Sequence, residues 1–315
     1  MSQGMTMEEY KAKKQAQEKE TFALLEKQTD VDMTDKKSFL DLLNKVSDHT
    51  ASSVSNVILV QAQKPNATAV TSIAEWEKRN INVSRDENDY YPKGIYQFAL
   101  DGYYVDDNGE AHAKFKVFKG FDATQTTNPE YARKVIQEER PITVFIGDTS
   151  ANNIRNVALC NSSPIRCIPY DTNNLIDNAE NISEAVGARY IPATKTVIIR
   201  KLSKDEWFQR VAFEIAHGIL HKERGSLYNR EDCAFEAGVI AYMVSRSAGV
   251  STDKYSFDIS HLRSRYQNNA DFRSTIEHCQ ELAHDIAFRL NNKLKEHNAK
   301  MCSPKSRHEI TIKGG

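Results

Sequence analysis

Apolar positions along the chain change period several times, and the changes mark out its elements. Residues 36–47, KKSFLDLLNKVS, place Phe39, Leu42, Leu43 and Val46 at helical spacing, while 54–62, VSNVILVQA, fits a helix or a strand by pattern alone. KPNAT at 64–68 ends that run, because proline and asparagine punctuate it. TSIAEWEKRNI reads as a short helix with Trp76 turned inward. GIYQFALDGYYV and AKFKVFKGFDA read as two strands rich in Tyr, Phe and Val, joined into a hairpin by DDNGE. After polar TQTTNPE come helical YARKVIQEE, a short strand ITVFIG, and an Asn/Ser-rich stretch from 148 to 180 expected as surface loop.

ARYIPATKTVIIR predicts a hairpin edge with a strong second strand. Three helices follow: LSKDEWFQRVAFEIAHGILHKE, DCAFEAGVIAYMVSRSAG and ADFRSTIEHCQELAHDIAFRLNNKLKE. Ser203 with Glu206 offers a capping box for the first, and Gly249 ends the second. The expected fold class is α+β, a small N-terminal α+β domain followed by a mainly helical one with a short sheet. Residues 1–35 are expected as a flexible or solvated helical extension, 36–127 and 128–298 as the two domains, and 299–315 as a basic tail.

Composition narrows the class. Five scattered cysteines, never in a CxxC pair, point away from disulfide frameworks and thiolate zinc knuckles. No window approaches the length of a membrane helix and the N-terminus lacks an apolar run before its charges, so a cytoplasmic protein without membrane partners is expected. Net charge is -1, which leaves polyanion contacts to local surfaces. Residues 86–110 hold seven acidic side chains against one lysine, and 285–315 hold seven Lys/Arg against three acids.

The candidate chemistry lies in VAFEIAHGILHK, residues 211–222. A zinc peptidase helix sets two histidines four apart, so that both imidazoles reach one metal, with a glutamate directly after the first as base on bound water. Here Phe213 stands at the first ligand position, while Glu214 and His217 hold those of base and second ligand. His217 and His221 make a shifted pair on one helical face, with Gly218 where the base would stand. Glu236, in apolar CAFEAGVIAY, is a third candidate ligand if buried, since an unpaired buried carboxylate is costly; otherwise it is a helix residue facing solvent. The competing structural reading is a core helix whose histidines are satisfied by hydrogen bonds. His278 and His284 share no face, and His112 has no partner by spacing. GxSxG, GxGxxG and P-loop patterns are absent.

For nucleic acid the candidates are Lys64, Trp76, Lys93, Tyr96, Lys114, Lys116 and Lys119, because aromatics interleaved with cations stack bases and neutralise phosphates. Core packing is the competing reading for the aromatics, and the acidic run at 86–89 opposes binding.

Segment order adds a resemblance. NVILVQAQKPNATAVTSIAEWEKRNINV, KGIYQF and KVFKGFDATQT resemble the single-strand-binding domain of ArdC-type antirestriction and LtrC-like proteins of mobile elements. GARYIPATKTVIIR, AFEIAHGILHK, FEAGVIAYMVSRSAGV and YSFDISHL resemble the zincin-like, ImmA/IrrE-related metallopeptidase domain that follows it, and together the segments span about 50–265. The resemblance implies an accessory protein of a mobile element or phage that binds DNA, single-stranded in the first instance, or a host defence component. It places the family's first ligand at Phe213, its base at Glu214, its second histidine at His217 and its acidic ligand at Glu236, which implies a degenerate site without peptidase activity or cofactor. The alternative is a Zn2+-dependent peptidase with His217, Glu236 and His221 as ligands and Glu214 near the metal. SRDENDYYPKG, longer and more acidic than the basic turn of such relatives, departs from the pattern and shifts weight toward protein partners.

Overall fold

The computed structural model describes residues 6–48, 52–139, 149–169, 187–200 and 204–301. In chain order the elements are α1 (Met7–Thr34), α2 (Lys36–Asp48), α3 (Val54–Gln63), β1 (Val70–Thr71), α4 (Ile73–Lys78), β2 (Ile95–Val105), β3 (Ala111–Asp122) and α5 (Pro129–Glu139). Then follow α6 (Thr149–Ser162), β4 (Arg166–Pro169), β5 (Ala188–Ile191), β6 (Thr196–Ile199), α7 (Lys204–Arg224), α8 (Arg230–Ser247), α9 (Leu262–Arg265) and α10 (Asn269–Met301). The fold is α+β: an N-terminal region of helices and a three-stranded sheet, then a largely helical region with a second small sheet. Two compact units emerge, residues 1–140 with 258–274, and 141–257 with 275–315. No helix among the described residues is long and apolar enough to cross a membrane.

In the first unit, Phe39, Leu42, Leu43 and Val46 make the buried stripe that the spacing of α2 predicts. The ambiguous run at 54–62 is a helix. Ser53 caps it by accepting from the Asn56 amide, and Val57, Ile58, Leu59 and Val60 are buried on every side, which removes the alternation a half-exposed strand would show. Helix α1 is capped by a Thr6–Glu9 box and buries Thr21, Leu25, Thr29, Asp32 and Met33 in its second half only. Its first half is almost wholly exposed, as its composition suggests.

Strands β2 and β3 pair antiparallel from Ile95↔Gly120 to Val105↔Ala111, with an irregularity between Leu100 and Tyr103 where Gly102 takes φ +104°. The sheet order is β1-β3-β2, so β2 is an edge. Two side chains of α3 close part of that edge. Asn56 donates to the Phe98 carbonyl (2.9 Å) and accepts from its amide (2.8 Å), and Gln63 does the same at Tyr96, 2.9 Å each way. Each carboxamide thus satisfies the pair of backbone groups that an edge strand otherwise offers to another chain.

Trp76 is fully buried among Ala69, Ile81, Val83, Phe121, Ala123 and Ala132, and its indole N–H donates to the Phe121 carbonyl at 2.9 Å. Helix α5 adds to this cluster through Ala132, Val135 and Ile136.

In the second unit the sheet order is β4-β6-β5, with β4 parallel and β5 antiparallel to β6. The expected hairpin and the TVII strand are present; of the loop expected at 148–180, the described part, 149–169, instead forms α6 and β4. ITVFIG and Ser203 lie outside the described residues. Helix α7 packs closely on this sheet at Gly218, where a Cβ would fall 2.8 Å from Ile165 and 3.0 Å from Tyr190. Asn229 caps α8 by accepting from the Glu231 and Asp232 amides, and Gly249, at φ +67°, follows its end.

Candidate functional site

Glu214 and His217, one turn apart on the buried face of α7, are 3% and 0% exposed. Such a carboxylate needs partners, and Glu214 has three N–H donors. The Tyr190 amide of β5 donates at 2.7 Å, and both terminal nitrogens of Arg230 donate, at 3.0 and 2.5 Å, one to each carboxylate oxygen. This is a bidentate fork, the strongest geometry an arginine offers a carboxylate.

Glu236 is buried as well, and Arg224 holds it while a second nitrogen of the same guanidinium lies 3.1 Å from Cys233 Sγ. The two ion pairs cross. The last residue of α7 reaches Glu236 inside α8, and the first residue of α8 reaches Glu214 inside α7.

His217 Nδ1 lies 3.0 Å from the Tyr228 hydroxyl, and Nε2 has no hydrogen-bond partner. Burial, reinforced by the charges of Arg230 and Arg189, pushes its pKa down to about 3, so the ring is neutral. Burial likewise pushes the Tyr228 hydroxyl up to about 12. The Phe213 ring meets that of His217 edge to face, centroids 4.6 Å apart, and the Arg230 guanidinium lies 5.9 Å from the Phe213 centroid. His221 Nδ1 bonds the Tyr190 hydroxyl at 2.8 Å.

These donors do not suit a metal. Phe213 supplies none, both carboxylates are engaged by guanidinium groups, and one nitrogen each of His217 and His221 is committed to a tyrosine. Among the described residues, the one trio of His, Cys, Asp or Glu with ligand atoms all within 4.8 Å of each other is Asp106, Glu110 and His112 at the β2–β3 turn; His217, His221 and Glu236 form no such trio. His112, expected to lack a partner, has one in Asp106 at 2.9 Å.

Arg230 and Arg224 are not legible as site residues in the sequence. Arg230 does carry a signal, since a cation in the first turn of a helix opposes the macrodipole and calls for a nearby anion. Arg224, at a helix C-terminus, sits where cations are favoured and gives none.

The nucleic-acid candidates separate. Trp76 is corrected: buried in the core with its N–H committed, it presents no face to a base. Lys114 and Lys116 lie 3.9 and 2.8 Å from Asp101. Strand alternation sets them on the ribbon face opposite to exposed Leu100, Tyr103, Val105 and Phe115. Lys64, Lys93, Tyr96 and Lys119 belong to the hairpin base. Lys119 lies over the Tyr96 ring at 5.7 Å, a Cβ on Gly94 would fall 2.9 Å from Lys119 Cβ, and Gln125 donates to the Lys93 carbonyl. Lys64 bonds Thr124 at 2.7 Å and lies 3.5 Å from Asp122. Arg85 stacks on Tyr91 at 4.3 Å, but Asp89 shares its charge.

The chain is similar to two crystal structures of the antirestriction protein ArdC of plasmid R388. The metal-free form is 14% identical, with a TM-score of 0.38 over 78% of this chain and 85% of that one. The Mn(II)-bound form is 15% identical, with a TM-score of 0.41 over 80% of this chain and 97% of that one. No protein-family model and no curated protein matches the chain.

Proposed function

We propose that this chain is a non-catalytic accessory protein of the antirestriction kind, which binds single-stranded DNA at the base of its β2–β3 hairpin and keeps its zincin-like helix pair as a closed pseudo-site. One observation carries the non-catalytic half: Glu214, at the position of the base, is clamped by Arg230 through both oxygens. A carboxylate so held has both oxygens committed to a charge-assisted fork, so neither is left to position a water molecule. The binding half is supported by Lys119, which lies over the Tyr96 ring, and by exposed Lys93 at the same end of the hairpin, two lysines without a carboxylate partner among the described residues. A host defence protein as partner accords with the exposed apolar face of Leu100, Tyr103, Val105 and Phe115.

The test is a mobility shift with a single-stranded oligonucleotide across a salt series. Changing Lys64, Lys93 and Lys119 to Glu is expected to abolish the shift, whereas changing Lys114 and Lys116 leaves most of it. Removing one phosphate-neutralising cation lowers the log–log salt slope by about 0.7. Absence of any shift by the wild type at low salt refutes the DNA reading.

A second reading is favoured by His217 Nε2, a buried imidazole nitrogen without a partner. It makes the chain a zinc hydrolase in which His217, Glu236 and His221 converge on the metal once Arg224 releases Glu236, a rearrangement of the pairing described above. Elemental analysis of protein purified without chelator decides: near-stoichiometric zinc, lost in His217→Ala, establishes this reading, and metal-free protein eliminates it.

A further inference from the structure

In the first unit, α1, α2 and α3 meet around a carboxyl group that the site does not use. Asp32 is fully buried, and its Oδ1 accepts three hydrogen bonds, from Gln28 Nε2 (2.9 Å), Ser38 Oγ (2.5 Å) and Gln61 Nε2 (3.0 Å). The other oxygen, Oδ2, has no partner, and neither has Oε1 of Gln61, the side chain already bonded to Asp32. Two orphaned acceptors in a dry junction are costly to leave unpaired. They belong to two planar groups of matching shape already joined on one side. A carboxylate offers no donor to close the other side; a carboxylic acid does.

We propose that Asp32 is a neutral carboxylic acid in the folded protein, donating Oδ2–H to Gln61 Oε1 in a cyclic acid–amide pair, and that its ionisation is a pH-sensitive latch on the three-helix junction. One proton satisfies both orphaned oxygens. The charged surroundings do not reverse this. Lys45 of α2 favours the ionised form but is itself half-buried and shared with Asp41, while Asp35 opposes it. Arg263 lies 2.9 Å from Asp30, and Arg273 is engaged by Glu26 and Thr29 at 2.8 and 3.2 Å. Burial dominates, and it outweighs the hydrogen bonds from Ser38 and Gln28 to hold the carboxyl near pH 7, well above its ordinary 3.8.

The sign follows from proton linkage. Between about pH 4 and 7 the folded chain holds a proton that the unfolded chain has released, so this group's contribution to stability falls as pH rises through that window and levels off above it. Helix α3 carries Gln61 and also the two amides that hold the β2 edge, so the latch and the hairpin base share one helix.

The experiment compares urea unfolding of the full-length chain and Asp32→Asn between about pH 5 and 8, with carbon NMR of the aspartate carboxyls in the wild type. Asparagine keeps the Oδ1 acceptor and places a permanent donor at Oδ2. The expected result is a wild-type midpoint that falls with pH, a flatter profile for Asp32→Asn that lies above wild type at the alkaline end, and a carboxyl resonance, absent from the variant, titrating near pH 7. Titration of Asp32 in the ordinary carboxylate range, an unchanged pH profile, or failure of Asp32→Asn to fold overturns the proposal.

Discussion

Arg230 grips Glu214 with two nitrogens, 3.0 and 2.5 Å from the two carboxylate oxygens, across the turn that joins α7 to α8. Glu214 is nearly inaccessible and the guanidinium is about a third exposed, so the pair is neither a surface bridge nor wholly dry. Arg230→Ala is expected to destabilise the second unit by about 3 kcal/mol, the low end of the cost of breaking a buried pair. Adding Glu214→Gln should recover most of the loss, since the charge left behind is then removed. Urea denaturation measures both, and a neutral effect of Arg230→Ala would show that the fork contributes nothing.

The crossed pairs predict that a histidine at position 213 is not enough to create a zinc site. Phe213→His alone should leave the protein without zinc, because Glu214 and Glu236 stay clamped and two guanidiniums repel a dication. Phe213→His combined with Arg224→Ala and Arg230→Ala should acquire it. Metal analysis after dialysis checks this, and full zinc loading of the single variant would rule out the arginines as a barrier.

A second stability prediction separates the core from the surface. Trp76→Ala should cost about 3–5 kcal/mol, the range for removing a large buried aromatic, and should also orphan the Phe121 carbonyl. At permissive temperature, oligonucleotide affinity should be unchanged. Selective loss of affinity in folded Trp76→Ala would return this residue to the binding surface.

Sequence pattern locates α2, α4, α5, α7, α8, α10 and both hairpins because amphipathic spacing and turn residues act over a few positions. The 148–180 stretch misleads, because Asn and Ser, poor helix formers, mask the apolar Val157, Ala158, Leu159 and Cys160 of α6. The arginine clamps are beyond reach for another reason. Their partners lie 16 and 12 residues away, and no helical or strand period brings position 214 to 230 or 224 to 236. Only the turn between α7 and α8 does that. Lys114 and Lys116 alternate with Phe115 along the sequence, yet a period of two sends them to the face opposite Phe115 and its neighbours Leu100 and Tyr103.

Edge closure by α3 gives a further expectation. Asn56→Ala removes both bonds to Phe98 and should cost about 1–2 kcal/mol, since hydrogen bonds contribute about 1 kcal/mol net each and the uncovered strand groups regain water. The variant should also self-associate more readily, as open strand edges do. Sedimentation velocity reads this out, and a monodisperse Asn56→Ala protein of wild-type stability would contradict it.

Asn56 and Gln63 stand two helical turns apart, about 10.5 Å along α3, whereas Phe98 and Tyr96 are about 6.8 Å apart along the strand. The glutamine's extra methylene helps to span the difference. A helix counted in turns and a strand counted in pairs therefore coincide at these two marks, like the scales of a vernier. Sliding the strand by one residue breaks both coincidences at once, so the hairpin's axial setting is fixed by a single pair of amides of unequal length.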